Sequence, residues 1–213
     1  FEMAQLLHQH LASKGVDLHL GEGVAEFSDR DRFAELRLSS GRMIEADIVI
    51  LSVGVRPNNK LARAAGLKIG ERGGIAVDEN MLTSDPDIYA VGDVAEVRDF
   101  VFDDPAMVPL AGPANKQGRV AANNIAGIKD SFGAVQGSAI VRVFDLTAAV
   151  TGANEKQLAR RGLVRGRDYE VAIITQNPHA GYYPGARPMT LKLLFSTNGK
   201  KIFGAQIVGR EGV

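Results

Sequence analysis

Three stretches of the chain combine residue types that can do chemistry. The first is "DPDIYAVGDVAEV" (85–97), where the apolar run Ile88 to Val91 stops at Gly92-Asp93. The run reads as a buried strand, and a carboxylate at its end needs a partner or solvent. Strand ends in open α/β sheets are where ligands sit, so Asp93 is a candidate acceptor for a bound group. The alternative is a turn residue or helix cap, the common fate of Gly-Asp in loops. The second stretch is "VPLAGPANKQGR" (108–119). A helix opening at Gly112-Pro113 aims unpaired backbone N–H groups and a partial positive charge at whatever lies before it. Such a start suits an electron-rich carbonyl or a developing anion. The third is "NPHAGYYPGA" (177–186), where proline, glycine and paired tyrosines around His179 specify either a functional loop or a structural turn.

Asp93, as an acceptor, suits hydroxyl donors such as those of a sugar alcohol, and cannot itself be the anion at the helix start. A flavin meets both demands, with a ribityl chain and an N1–C2=O edge that turns anionic on reduction. "SVGVRPN" (52–58) adds a glycine, Gly54, where an apolar run exits, which allows close approach by a flat cofactor. "GEGVAE" (21–26) lacks the third glycine and the following helix of a dinucleotide-binding loop, so it reads as a turn. His8 and His10 stand two apart on a helix and point in different directions, so they and His19 read as surface or packing residues.

The elements that position these residues follow from periodicity. Residues 2–14 place Met3, Leu6, Leu7 and Leu11 on one helical face, with Gly15 as the stop. "VDLHL" (16–20) alternates like a strand. "GVAEF", "FAELRLS" and "RMIEAD" predict a β-meander, and "ADIVILSVG" (46–54) a strand buried on both faces. "NNKLARAAG" (58–66) predicts a short helix, and residues 73–93 two strands around a loop. Residues 113–127 predict a helix with Pro113 at its first position and Gly127 just past its end. After a boundary near 128–137 come "GSAIVRVFDLTAAVTG", a helix opened by an Asn-x-x-Gln capping pattern, the strand "YEVAIIT", and a hairpin around Asn198-Gly199.

The 213 residues are 45% hydrophobic, with 25 acidic and 25 basic side chains, so no charge footprint for nucleic acid or an anionic membrane exists. No apolar stretch reaches membrane-spanning length, and no signal peptide is visible. The absence of cysteine excludes thiol chemistry and disulfides within this chain. A cytoplasmic setting is the expectation. The first residue is Phe1, on a helical pattern, and the last is Val213, just after a strand-like run. The expectation is a piece of a longer protein.

"ADIVILSVGVRPN", "GGIAVDENMLTSDPDIYAVGD", "PLAGPANKQGRVAANNIAG" and "HAGYYPGARPMTLKLLF…GKKIFGAQIVGREGV" resemble, in order, the FAD-dependent pyridine nucleotide-disulfide oxidoreductases. The last of these points to the branch of coenzyme A-disulfide reductases, NADH oxidases and NADH peroxidases. The resemblance implies an α/β chain: incomplete three-layer FAD- and NAD(P)-binding domains followed by an α+β dimerisation domain. Residues 1–54 would end the NAD(P) domain, 55–128 would be the returning FAD segment, and 129–213 the dimerisation domain. It implies FAD and NAD(P)H as cofactors, a homodimer, and a small-molecule disulfide as acceptor, with oxygen or peroxide as the alternative. Service as a dimerisation module alone is a further alternative. Carried over, Asp93 (after Gly92) would bind the ribityl chain, Leu110 and Ala111 the flavin edge, and Gly54 would lie by the nicotinamide. Asn115 would face substrate, although some relatives have His there. Tyr182 or Tyr183 would approach the partner subunit's active site. The family's glycine-rich loops and redox cysteine would lie before Phe1, and the end of its dimerisation domain after Val213.

Overall fold

A computed structural model describes residues 2–213. The chain divides into two compact units, one of residues 8–56 and one of residues up to Leu7 together with 57–213. Helix α1 (Glu2–Ser13) turns the predicted face inward, with Met3 buried and Leu6, Leu7 and Leu11 half-buried. Gly15, at φ +84°, ends it, and the Val16 N–H closes onto the Leu11 carbonyl.

In the smaller unit, β1 (Val24–Asp29), β2 (Ala34–Leu38) and β3 (Met43–Ala46) form the expected antiparallel meander. Two expectations fail there. Residues 16–20 form no strand: His19 bonds Asp17 at 3.0 Å and Arg42 at 3.2 Å, making the segment a side-chain-pinned loop. The run 46–54 is unpaired beyond Ala46, with Ile48, Ile50 and Val53 80%, 86% and 89% exposed. A strand buried on both faces is typical of parallel sheets, and the sheet of this unit's described residues is antiparallel.

In the larger unit, α2 (Lys60–Ala64) precedes a small sheet of β4 (Ile75–Ala76), β5 (Ala95–Arg98) and β6 (Pro105–Ala106). β4 and β5 pair in parallel, β5 and β6 antiparallel. The strand expected at 88–91 is absent. One isolated bridge, Leu82 to Tyr89, and the bonds from the Thr83 N–H to the Ile88 carbonyl and from the Ala90 N–H to the Met81 carbonyl hold the segment, in which Ala90 is buried. Helix α3 (Ala111–Ile125) starts earlier than expected, so Pro113 sits at its third position. Proline is tolerated throughout a first turn because no intrahelical acceptor awaits its N–H there. Gly127, at φ +78°, follows the C-terminus as expected.

The C-terminal sheet is antiparallel and runs β7–β8–β11–β10–β9: β7 (Ala139–Val143), β8 (Leu146–Gly152), β9 (Tyr169–Gln176), β10 (Met189–Ser196) and β11 (Ile202–Gly209). Helix α4 (Glu155–Arg160) opens with the expected capping box: Asn154 accepts from the Gln157 N–H, and the Gln157 side chain accepts from that of Asn154. Leu158, Leu194, Phe203 and Tyr169 form the core beneath it, and Val101 enters that core from the β5–β6 connection. Arg161 stacks 3.7 Å above the Phe102 ring and pairs with Asp104, while Lys201 reaches the Val101 carbonyl. The tip of one small hairpin thus plugs into the larger sheet.

Candidate functional site

The site grows from the end of the 88–91 segment. Gly92, at φ +79°, makes a turn that other residues rarely adopt, and a short 3₁₀ turn (Gly92–Val94) follows. That turn presents Asp93 to solvent. The carboxylate neither caps this turn nor pairs with any described residue, so it stands available as an acceptor.

α3 faces the same corner. A Cβ at Gly92 would lie 3.9 Å from that of Ala114. The residue preceding the helix is Leu110, which has no polar side chain to cap it, and the first helical bond runs from the Ala114 N–H to the Leu110 carbonyl. Pro113 has no N–H. The free donors of the first turn are therefore Ala111 and Gly112, flanked by an apolar side chain. A leucine N-cap in place of Ser, Asp or Asn gives up about 1 kcal/mol of helix stability. The arrangement offers two N–H donors at the positive end of a fifteen-residue helix, an apolar edge and a separate carboxylate acceptor.

The structure thus brings Gly92, Asp93, Leu110 and Ala111 to one corner. Asn115 lies one turn along α3 and is exposed. Gly54, at φ +92°, is exposed in the other unit. Tyr182 and Tyr183 stand on the β9–β10 connection, 84% and 61% exposed, their rings 4.8 Å apart. His179 meets Tyr183 edge-on at 6.3 Å, its Nδ1 3.2 Å from the Ala180 carbonyl. Among the described residues no cluster of His, Asp or Glu could hold a metal ion, and no helix is long and apolar enough to cross a membrane.

Sequence reasoning missed Gln117. It is 2% exposed on the inner face of α3, and its Oε1 accepts the Gly92 N–H at 2.7 Å. The available signal was a glutamine on the same helical stripe as Val120, Ala121 and Asn124. Lys192 was missed as well. It is 2% exposed on β10, where its ammonium pairs with Glu2 at 2.8 Å and with Glu155. Burial alone would lower its pKa, but the bonds to Glu155 and Glu2 outweigh that and raise it.

Comparison with known proteins places these features in a family. Residues 1–118 match the pyridine nucleotide-disulphide oxidoreductase family, and residues 138–213 match its dimerisation domain. The chain is 37% identical to an NADH oxidase of Methanocaldococcus jannaschii over 100% of its own length and 46% of that protein's. It is 33% identical to a coenzyme A disulfide reductase of Staphylococcus aureus, again over 100% of itself and 46% of the relative. Among solved structures, reduced Bacillus anthracis CoADR-RHD superposes with a TM-score of 0.93 at 46% identity, covering 100% of this chain and 37% of that one. The chain spans about half the length of the curated relatives it matches, 46% in both cases. A mixed α/β fold, an antiparallel C-terminal sheet and matches along nearly its whole length lead to one conclusion: the chain belongs to the pyridine nucleotide-disulphide oxidoreductase family.

Proposed function

We propose that this chain forms the C-terminal part of a flavoenzyme that passes electrons from NAD(P)H through FAD to a disulfide, with coenzyme A disulfide the preferred acceptor. The observation that carries the reading is the corner at Asp93 and α3, whose donors and acceptor fit a flavin. The free N–H groups of Ala111 and Gly112 would donate to an electron-rich carbonyl edge, Leu110 would cover the apolar ring edge, and Asp93 would accept from a ribityl hydroxyl. Bound there, FAD would supply the hydride acceptance and two-electron transfer that no side chain of this chain can perform.

The chain's own part is binding and charge stabilisation. A helix start aimed at a group that gains negative charge stabilises the reduced state without reorganising. Gly54 would leave room beside the nicotinamide, Asn115 would face the acceptor, and one of Tyr182 and Tyr183 would reach the active site of a partner subunit. The homodimer belongs to the same proposal. Supporting it, the sheet face carrying Ile140, Leu191, Leu193 and Ile207 lies opposite α4, with Ile140 64% exposed and the other three half-buried. A cytoplasmic setting for the whole enzyme is part of the proposal too. A second reading, an NADH oxidase acting on oxygen, is favoured by the identity to the M. jannaschii protein.

Purification of the full-length enzyme tests both readings. Bound flavin absorbance and faster NAD(P)H turnover with coenzyme A disulfide than with oxygen are expected. Turnover with oxygen alone would select the oxidase, and a colourless, inactive enzyme would leave only a dimerisation module.

A further inference from the structure

We propose that Gln117 is a positioning residue of this corner, fixing the spacing between the Asp93 acceptor and the N–H donors of α3; the inference rests on the flavin reading above. Two segments 25 residues apart in sequence are hydrogen-bonded here by one side chain: the Gly92 N–H donates to Gln117 Oε1 at 2.7 Å. Gln117 is 2% exposed, although an apolar residue of equal size would fill the same space at lower desolvation cost. What the amide adds is direction. It captures the peptide immediately before Asp93, where Gly92 already stands at φ +79° and where an added Cβ would lie 3.9 Å from that of Ala114. Gln117 lies between one and two turns below Ala111, so it holds the turn from inside the helix while the free end of α3 stays open.

A ligand with a hydroxyl chain at one end and a carbonyl edge at the other needs acceptor and donors at a set separation. Ala111 and Gly112 are fixed by the helix, and Asp93 by a three-residue turn with no side-chain cap. Gln117 is the side chain that joins the two, so the site is organised before the ligand arrives. Without its oxygen the Gly92 N–H loses its acceptor and the turn can relax away from α3.

The test uses the full-length enzyme and its Gln117→Met, Gln117→Glu and Asp93→Ala variants. Three quantities are measured: the FAD dissociation constant from fluorescence of released flavin, the midpoint potential of the bound flavin, and the melting temperature of the apoenzyme. Gln117→Met keeps the volume and removes the acceptor. It is expected to bind FAD about tenfold more weakly and to shift the flavin potential. Gln117→Glu keeps an oxygen for Gly92 and is expected to hold FAD nearly as well as the wild type. If Gln117→Met matches the wild type in affinity and potential while Asp93→Ala binds FAD more weakly, Gln117 only packs and the inference is overturned. If Asp93→Ala leaves FAD binding unchanged, the flavin reading itself fails and the inference falls with it. Should Gln117→Met not fold, Gln117→Asn, which withdraws the amide by one methylene, is expected to show the same weakening. Wild-type flavin binding by that variant overturns the proposal equally.

Discussion

Two apolar segments of similar length meet opposite fates in this molecule. "MTLKLLFS" (189–196) is β10, paired on both edges by β9 and β11, with Leu194 fully buried. "ADIVILSVG" (46–54) is more uniformly apolar, yet Ile50 and Val53 are 86% and 89% exposed. The difference is where their partners come from. β10 finds β11 through a tight hairpin, whose Gly199 sits at φ +69°, and β9 lies just upstream. A strand buried on both faces is typical of parallel sheets, whose neighbours hairpins cannot supply. Apolar periodicity therefore reports what a segment requires, and only local chain geometry reports whether the requirement is met nearby.

The sharpest way to break this comparison is a pair of truncations. Leu194→Ala removes a fully buried side chain from the packed core and is expected to cost about 2–5 kcal/mol. Ile50→Ala, on the exposed run, is expected to change stability by less than about 0.5 kcal/mol. Urea unfolding of the chain checks both. Equal losses would mean that the run is packed in solution and that the two segments do not differ.

The same distinction decides what was legible in the sequence. The meander, α3 apart from its earlier start, the capping box at Asn154, the hairpin at Asn198-Gly199 and the strands of the C-terminal sheet are written in short-range signals, and they form as expected. Residues 16–20, 46–54 and 88–91 carried strand patterns without local partners, and they remain loops or single bridges. The site splits in the same way. Asp93 and the start of α3 were visible because a Gly-Asp after an apolar run and a Gly-Pro helix start are local motifs. Gln117 and Lys192 act through partners 25 and 190 residues away, Gly92 and Glu2, so their roles appear only once the chain is folded.

The C-terminal sheet sets a second contrast, since α4 covers one face and leaves on the other Ile140 exposed and Leu191, Leu193 and Ile207 half-buried. The strand register sends the apolar residues of this sheet to opposite faces: Val171 and Phe203 pack toward the covered core, whereas Leu191, Leu193 and Ile207 point away. Ile207→Glu would place a carboxylate in the middle of that second face. It is expected to weaken self-association of the chain at least about tenfold while leaving unfolding nearly unchanged. Sedimentation of wild type and variant at micromolar concentration decides it. A wild-type chain that is already monomeric would show that this face does not pair. A smaller contrast lies between two helix starts that both carry asparagine. Asn154 caps α4, while Asn59 at the start of α2 sends its amide to the Gly73 carbonyl at 2.6 Å and makes no cap bond. Asn154→Ala is expected to cost about 1 kcal/mol in urea unfolding.

The smallest effect concerns the buried lysine of β10, which makes that strand differ from the exposed run in charge as well as in burial. The bond from Lys192 holds the Glu2 carboxyl down at about 2, against an ordinary 4.5. A lowered carboxyl pKa stabilises the fold above its unfolded value, so the contribution is complete above about pH 5 and fades as pH falls toward 2. Lys192, with its pKa raised, stays charged across that window, so the change belongs to Glu2. Glu2 is half-exposed and solvent screens it, which keeps the effect small. Glu2→Gln is therefore expected to lower the melting temperature slightly at pH 6 and progressively less between pH 4.5 and 3, because there the unfolded wild type takes up a proton that the native Glu2 does not. Melting curves of both proteins across that range check the sign: a difference that grows on acidification would show that the Lys192 pair does not hold Glu2 ionised.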